Sequence, residues 1–204
     1  MSLVLWYHPL SSFCWKTLIG LYELDVAFEK RFVDLSQENE RQALSALWPM
    51  RKFPVLRDER RDLTLAESTT ILEHIDHDGV LVTPEARFRD RFFDMHVHLH
   101  MQKLVGDRLR PDGSRDPLGV EQAREQIELA YGVADEWMRQ GPWSLGDRFT
   151  LGDCAAAPAL FYANKVVPFG ERRHLTAYLA RLVERPSFAR VLDEAKPYFA
   201  MFPG

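Results

Sequence analysis

Two adjacent hydroxyls, Ser11 and Ser12, hold the position in this sequence best placed to do chemistry. They follow an apolar run, Leu3-Val4-Leu5-Trp6-Tyr7, that breaks at Pro9, and they precede Cys14, Leu18, Leu21 and Tyr22, which recur at helical spacing. The pattern predicts a strand, a short loop and a helix N-terminus whose apolar face turns toward a sheet. Ser11 or Ser12 is the expected N-cap, the commonest role for a serine so placed. A helix start also carries unpaired N–H groups and the positive end of the helix dipole. An anion held there is stabilised, and a thiolate is such an anion.

Two further groups invite other chemistry. Cys14 lies in the first turn of the same helix, where a thiol can be acidified enough for thiol-disulfide exchange, yet its place on the apolar stripe argues for a small core residue. Cys154, beside an alanine run, reads as packing. His96, His98 and His100 alternate along a helical segment, and His96 and His100 stand one turn apart. No HExxH pattern or nearby cysteine completes three or four ligands, so no metal is expected. His96, His100 and Met101 are expected instead to line an apolar pocket, joined by Phe161 and Tyr162.

The elements that must position these groups are bounded by composition. At 204 residues with 46% hydrophobic content the chain can bury one large core or two small ones. A net charge of −4 with both signs interspersed offers no footprint for nucleic acid or an anionic membrane. With no leader pattern and no apolar run of spanning length, the expectation is a soluble cytoplasmic protein. The two cysteines lie too far apart in sequence for a CxxC pair.

In chain order, residues 27–33 read as a second strand, parallel to the first because a helix separates them. Residues 34–47 read as a short irregular helix, and Pro54 stands immediately before a third strand, where it pushes Phe53 toward an extended conformation. A charged hairpin leads to a short fourth strand at 63–65, and Glu67-Ser68 opens a helix carrying Ile71, Leu72 and Ile75 inward. Gly79 and Pro84 punctuate a linker. From 85 onward only helical periods remain. The first is a long helix with two buried stripes, Phe88-Phe92-Met95-Leu99 and Phe93-Val97-Met101-Leu104. A second long helix buries Ala123, Ile127, Ala130, Ala134 and Trp137; Thr150-Leu151-Gly152-Asp153 forms a capping box before an apolar helix; and two more helices complete the tail. The division is residues 1–78, a linker at 79–84, and an all-helical part at 85–204.

Four motifs in this order, Ser11-Ser12-Phe13-Cys14-Trp15-Lys16, Lys52-Phe53-Pro54-Val55-Leu56, Glu67-Ser68 and Thr150-Leu151-Gly152-Asp153, resemble the cytosolic glutathione transferase family over essentially the whole chain. The resemblance implies an α/β thioredoxin-like N-terminal domain that binds glutathione, docked on an all-α helical bundle that binds the acceptor, usually as a homodimer. It implies a detoxifying transferase that activates the glutathione thiolate for addition to, or substitution on, small electrophilic apolar compounds. It further implies that Pro54 is cis, that the Phe53 backbone pairs with the tripeptide, that Glu67 and Ser68 hold the γ-glutamyl end and that Lys52 reaches the glycine carboxylate. The thiol-activating hydroxyl is Ser11, Ser12 or Tyr7, each able to present an O–H donor. Two rivals stand beside this reading: a non-catalytic binding or regulatory protein of the same fold, and a glutathione-dependent thiol reductase working through Cys14.

Overall fold

The computed structural model describes residues 3–201, so the outermost residues of both expected parts, 1–2 and 202–204, lie outside it. A four-stranded sheet forms the first half, with the strands 29–32 (β2), 3–7 (β1), 55–58 (β3) and 63–66 (β4) side by side in that order. Strand β1 (Leu3–Tyr7) pairs parallel with β2 (Glu29–Phe32), Val4 opposite Glu29, and antiparallel with β3 (Val55–Asp58), Leu5 opposite Leu56. Strand β4 (Leu63–Ala66) closes the edge against β3. Alternation along the strands sends Leu5 and Leu56 to one face, under α1 (Ser12–Glu23) and α3 (Ser68–Ile75), and Trp6 and Val55 to the other. There α2 (Glu38–Leu47) buries Leu44 against Val33 and Val55. Gly20 allows α1 and α3 to meet, since a methyl group there would overlap the Leu72 side chain.

Local chemistry moves two boundaries from their expected places. Strand β2 is shorter than the 27–33 expected, and α2 starts only at Glu38, because Asp34 turns the chain: its carboxylate accepts from the Ser36 N–H at 2.9 Å and its carbonyl from Gln37. The link to the second half is ordered by Asp76, whose carboxylate accepts from the N–H groups of Val80, Leu81 and Val82 at 2.7–2.9 Å.

From Pro84 the regular elements are helical: α4 (Pro84–Phe92), a π-helical turn (Phe93–His98), α5 (Leu99–Arg108), α6 (Pro117–Trp137), α7 (Leu151–Val166), α8 (Arg173–Glu184), α9 (Pro186–Ala195) and a final 3₁₀ turn (Lys196–Met201). Helix α7 is the axle, packed on α1, α4, the π turn and α5. Its alanines, Ala155, Ala156, Ala157 and Ala159, are buried and let those neighbours come close. At its start Thr150 and Asp153 form the expected capping box, each side chain satisfying the other's backbone.

The π turn corrects one expectation. Of the two stripes foreseen on the first long helix, Phe93-Val97-Met101-Leu104 is buried, whereas Phe88, Met95 and Leu99 are exposed (61, 41 and 43%). A turn closed by i→i+5 bonds holds residues four apart nearly in line, so the inward face continues through Asp90, Asp94 and His98. Three polar side chains, missed by a 3.6-residue period, thereby face the first half of the chain.

Candidate functional site

A cleft of about 650 Å³ lies between the two halves. Four segments line it: Ser11 and Phe13 at the start of α1; Arg51, Lys52 and Phe53 before β3; Glu67 to Thr70 at the start of α3; and Arg91, Asp94, Met95, Leu99 and Gln102 along α4, the π turn and α5. Each segment owes its place to a local feature. Ser11 is the N-cap of α1, with extended backbone, and its hydroxyl oxygen accepts from the Cys14 N–H at 3.4 Å. That bond uses a lone pair of the oxygen, and the O–H remains a donor with the buried Cys14 thiol within its reach. The Phe53–Pro54 peptide is cis, and strand pairing begins only at Val55, so the Phe53 backbone stands outside the ladder. Glu67 and Arg51 take positive φ, at 69° and 55°, a conformation unusual for non-glycine residues, and both line the cleft. The first bond within α3 runs from the Ile71 N–H to the Glu67 carbonyl at 3.0 Å, leaving the N–H groups of Ser68, Thr69 and Thr70 outside the helical ladder.

The electrostatics are mixed. Arg51, Lys52 and Arg91 bring positive charge to the rim, Glu67 and Asp94 negative. Asp94 is tied from behind by the ammonium of Lys16 at 2.7 Å, which also reaches Asp90 and donates to Thr69 at 2.8 Å. Thus Lys16, Asp90 and Asp94 knit α1 to α4 and the π turn under the cleft floor.

The structure separates the three candidate hydroxyls. Ser11 lines the cleft; Ser12 and Tyr7 do not. Ser12 is buried, its oxygen 2.5 Å from Nε2 of His98. The Tyr7 phenol is raised above its ordinary pKa by burial and by Tyr198, Glu194 and Cys14, so it is less readily ionised than a free phenol. Of the proposed tripeptide-holding residues, Lys52, Phe53, Glu67 and Ser68 line the cleft, and Pro54 lies buried beneath it. Cys14 has no exposed surface, and burial pushes its thiol to about 12 against the opposing pull of the Ser11 hydroxyl. A thiol so placed is a poor nucleophile.

The pocket-lining expectation for the second half needs correction. Met101 and Tyr162 are core residues, and the Tyr162 hydroxyl donates to the Leu10 carbonyl at 3.0 Å. Phe161 packs on Trp15, Phe188 and Phe199. His96 and His100 do not line the cleft; His98, between them, is the histidine turned inward. Among the described residues no cluster of three His, Cys, Asp or Glu side chains is placed to hold a metal ion. Sequence reasoning missed Lys16, Asp90, Asp94 and His98. The available signal was a lysine on an otherwise apolar helix and the matched four-residue spacings Ser12/Lys16 and Asp94/His98.

Comparison with known proteins places this geometry. Residues 5–79 match the model for the glutathione S-transferase N-terminal domain and residues 94–186 that for the C-terminal domain. A stringent starvation protein A homolog from Coxiella burnetii is 30% identical, covering 95% of this chain and 93% of its own. Glutathione S-transferase GstB of Escherichia coli K12 is 24% identical over 93% of this chain and 97% of its own. A glutathione S-transferase from Methylobacillus flagellatus KT, solved with GSH bound, superposes with a TM-score of 0.84 at 21% identity, covering 93% of this chain and 98% of that one. With both domain models spanning most of its length, the chain belongs to the glutathione S-transferase family.

Proposed function

We propose that the protein binds glutathione in this cleft and activates its thiol for attack on small, electrophilic, largely apolar compounds, by substitution or conjugate addition. One observation carries the reading: a capping hydroxyl at the start of α1 shares a cleft with N–H groups at the start of α3 that lie outside the helical ladder. The second helix start suits the γ-glutamyl carboxylate, with the Ser68 hydroxyl as a further donor and the Glu67 carboxylate available to the ammonium. Phe53 offers its free backbone to the cysteinyl unit, and Lys52 suits the glycine carboxylate. Bound glutathione supplies the sulfur nucleophile. Ser11 donates to that sulfur and, with the dipole of α1, favours the thiolate over the thiol. Phe13, Met95 and Leu99 give the acceptor an apolar wall beside it. Fixing both partners in one cleft converts a bimolecular encounter into an oriented one.

Calorimetric titration with glutathione, combined with thiolate absorbance, tests these roles. Ser68→Ala is expected to weaken binding roughly tenfold, the cost of one hydrogen bond to a charged group. Ser11→Ala is expected to keep binding within about threefold while losing most of the thiolate signal, because a donor to the charged form is gone. No binding by the wild type at millimolar glutathione overturns the reading.

A homodimer, a cytoplasmic location and a detoxifying role belong to the same reading; exposed Phe88, Leu129 and Val133 on α4 and α6 are surface that a second copy would cover. No helix among the described residues is long and apolar enough to cross a membrane. A binding or regulatory protein is the second reading, favoured by the relative named for stringent starvation. It predicts glutathione binding without turnover of any electrophile. Burial of Cys14 weighs against the thiol-reductase alternative.

A further inference from the structure

Two polar rungs cross from α1 to the π turn. Ser12 and Lys16, four residues apart on α1, face His98 and Asp94, four residues apart on the turn, so the rungs run antiparallel. The lower rung is a charge cluster. The upper one is a neutral pair with a different character.

His98 is 1% exposed, and Ser12 is its one hydrogen-bond partner among the described residues, at 2.5 Å from Nε2. Its Nδ1 is buried with no partner among the described residues. A buried ring nitrogen left unpaired costs stability, so a side chain retained there calls for a return other than stability. The ring also takes the edge of Phe13, centroids 4.2 Å apart and planes at 85°. Ala155, Pro158 and Ala159 of α7 close the small space around the pair, which leaves the imidazole little room to turn. His98 therefore grips two consecutive residues, Ser12 and Phe13, that directly follow the capping Ser11. Burial, reinforced by the Lys16 charge, lowers its pKa to about 4, so it is a neutral imidazole near neutrality.

We propose that His98 is a positioning residue: by holding the Ser12 hydroxyl and the Phe13 ring from behind, it fixes the first turn of α1 so that Ser11 presents its O–H to the cleft. This rests on the glutathione reading above. Its consequence is that the second half of the chain, through His98, sets how far the thiol ionises. Ser12 is committed to His98 and withdrawn from the sulfur, which assigns the work to Ser11.

The test follows bound glutathione by thiolate absorbance against pH, with Kd measured in parallel, in wild type, His98→Phe, His98→Gln, His98→Asn, Ser12→Ala and Ser12→Ala/His98→Phe. In His98→Phe the midpoint of thiolate formation is expected to rise by about one pH unit, roughly tenfold less thiolate below the midpoint. Kd should stay within about threefold of wild type, because the residues holding the tripeptide ends are untouched. His98→Gln, whose amide reaches the place of Nε2, should recover the wild-type midpoint; His98→Asn, which is too short, should not. In the Ser12→Ala background His98→Phe should add less than about twofold, as expected of a residue acting through its partner. Because His98 is neutral throughout the range in which the thiol titrates, the shift reports on Ser11 and not on the imidazole charge. An unshifted midpoint in His98→Phe, or an undiminished effect without Ser12, overturns the inference while leaving the glutathione reading intact. If His98→Phe does not fold, equal midpoints in His98→Gln and His98→Asn overturn it in the same way. Failure of the wild type to bind glutathione removes both.

Discussion

Lys16→Met removes one charge from the cluster beneath the cleft and keeps the side chain's bulk. Lys16 is 1% exposed and Asp90 fully buried, so two carboxylates, Asp90 and Asp94, face a single ammonium away from water. Burial opposes the lysine charge, but Asp94 and Asp90 together outweigh it and raise its pKa. Burial raises Asp90 as well, helped by the neighbouring charge of Asp94 and only partly offset by Lys16 and Thr69. Removing one partner of a buried ion pair costs about 3–5 kcal/mol, because the other charge is left uncompensated. With an unfolding entropy of about 2.1 cal/mol/K per residue, a chain of this length loses roughly 0.4 kcal/mol per degree, so the melt should fall by roughly 7–12 °C.

The pH dependence fixes the cause. A carboxyl whose folded pKa exceeds its unfolded value makes the folded state hold more protons. Stability then falls as pH rises from the ordinary carboxylate range through the raised value, and returns as pH drops. The deficit of Lys16→Met should therefore shrink on acidification. Asp90→Asn leaves Lys16 and Asp94 paired one to one and should be neutral within about 1 kcal/mol; added to Lys16→Met, it should restore about half the loss. Thermal melts of the three variants across pH decide the matter. If Lys16→Met melts within about 2 °C of wild type, or its deficit ignores both pH and Asp90→Asn, the cluster is not balancing charge and the reasoning fails.

Two further predictions concern buried groups outside the cleft. Neither cysteine should react with an aromatic disulfide reagent in the native protein, and both should react on denaturation, since Cys14 and Cys154 have no exposed surface and burial raises both thiols; fast native labelling of Cys14 would revive the reductase alternative. Asp153→Ala should lower stability by about 3–5 kcal/mol in a denaturant melt, because its carboxylate accepts from the N–H groups of Ser144 and Thr150 at 2.8 Å and from the buried Tyr178 hydroxyl at 2.5 Å.

What could be read in advance divides along a physical line. Ser11 as a cap, the strand after Pro54, the helix opening at Ser68 and the Thr150–Asp153 box all depend on residues within a few positions of one another, and each stands where the local pattern put it. The parallel pairing of β1 with β2 followed from the helix between them. The cleft's far wall was not legible. A 3.6-residue period paired His96 with His100, whereas the π turn brings His98 inward, and nothing between Phe93 and His98 announces an extra residue per turn. Nor does a local pattern show that Ser12 meets a residue 86 positions away.

That unread part alters the account of the site. The cap motif as read in the sequence leaves two equivalent serines; in the fold Ser11 takes the cap and the cleft, and a contact from the second half takes up Ser12. Polar rungs at matched spacing on α1 and the π turn favour one register of the halves: a slip of one turn in one sense would bring Lys16 opposite His98 and strand both aspartates. Such a slip would leave buried charges unpaired, at several kcal/mol each, whereas apolar surfaces alone would tolerate it more cheaply. The cluster thus specifies register as much as it stabilises. Since the cleft takes its walls from both halves, the register it enforces sets the placing of Met95 and Leu99 opposite Ser11, and with it the distance between the proposed thiol site and its acceptor wall.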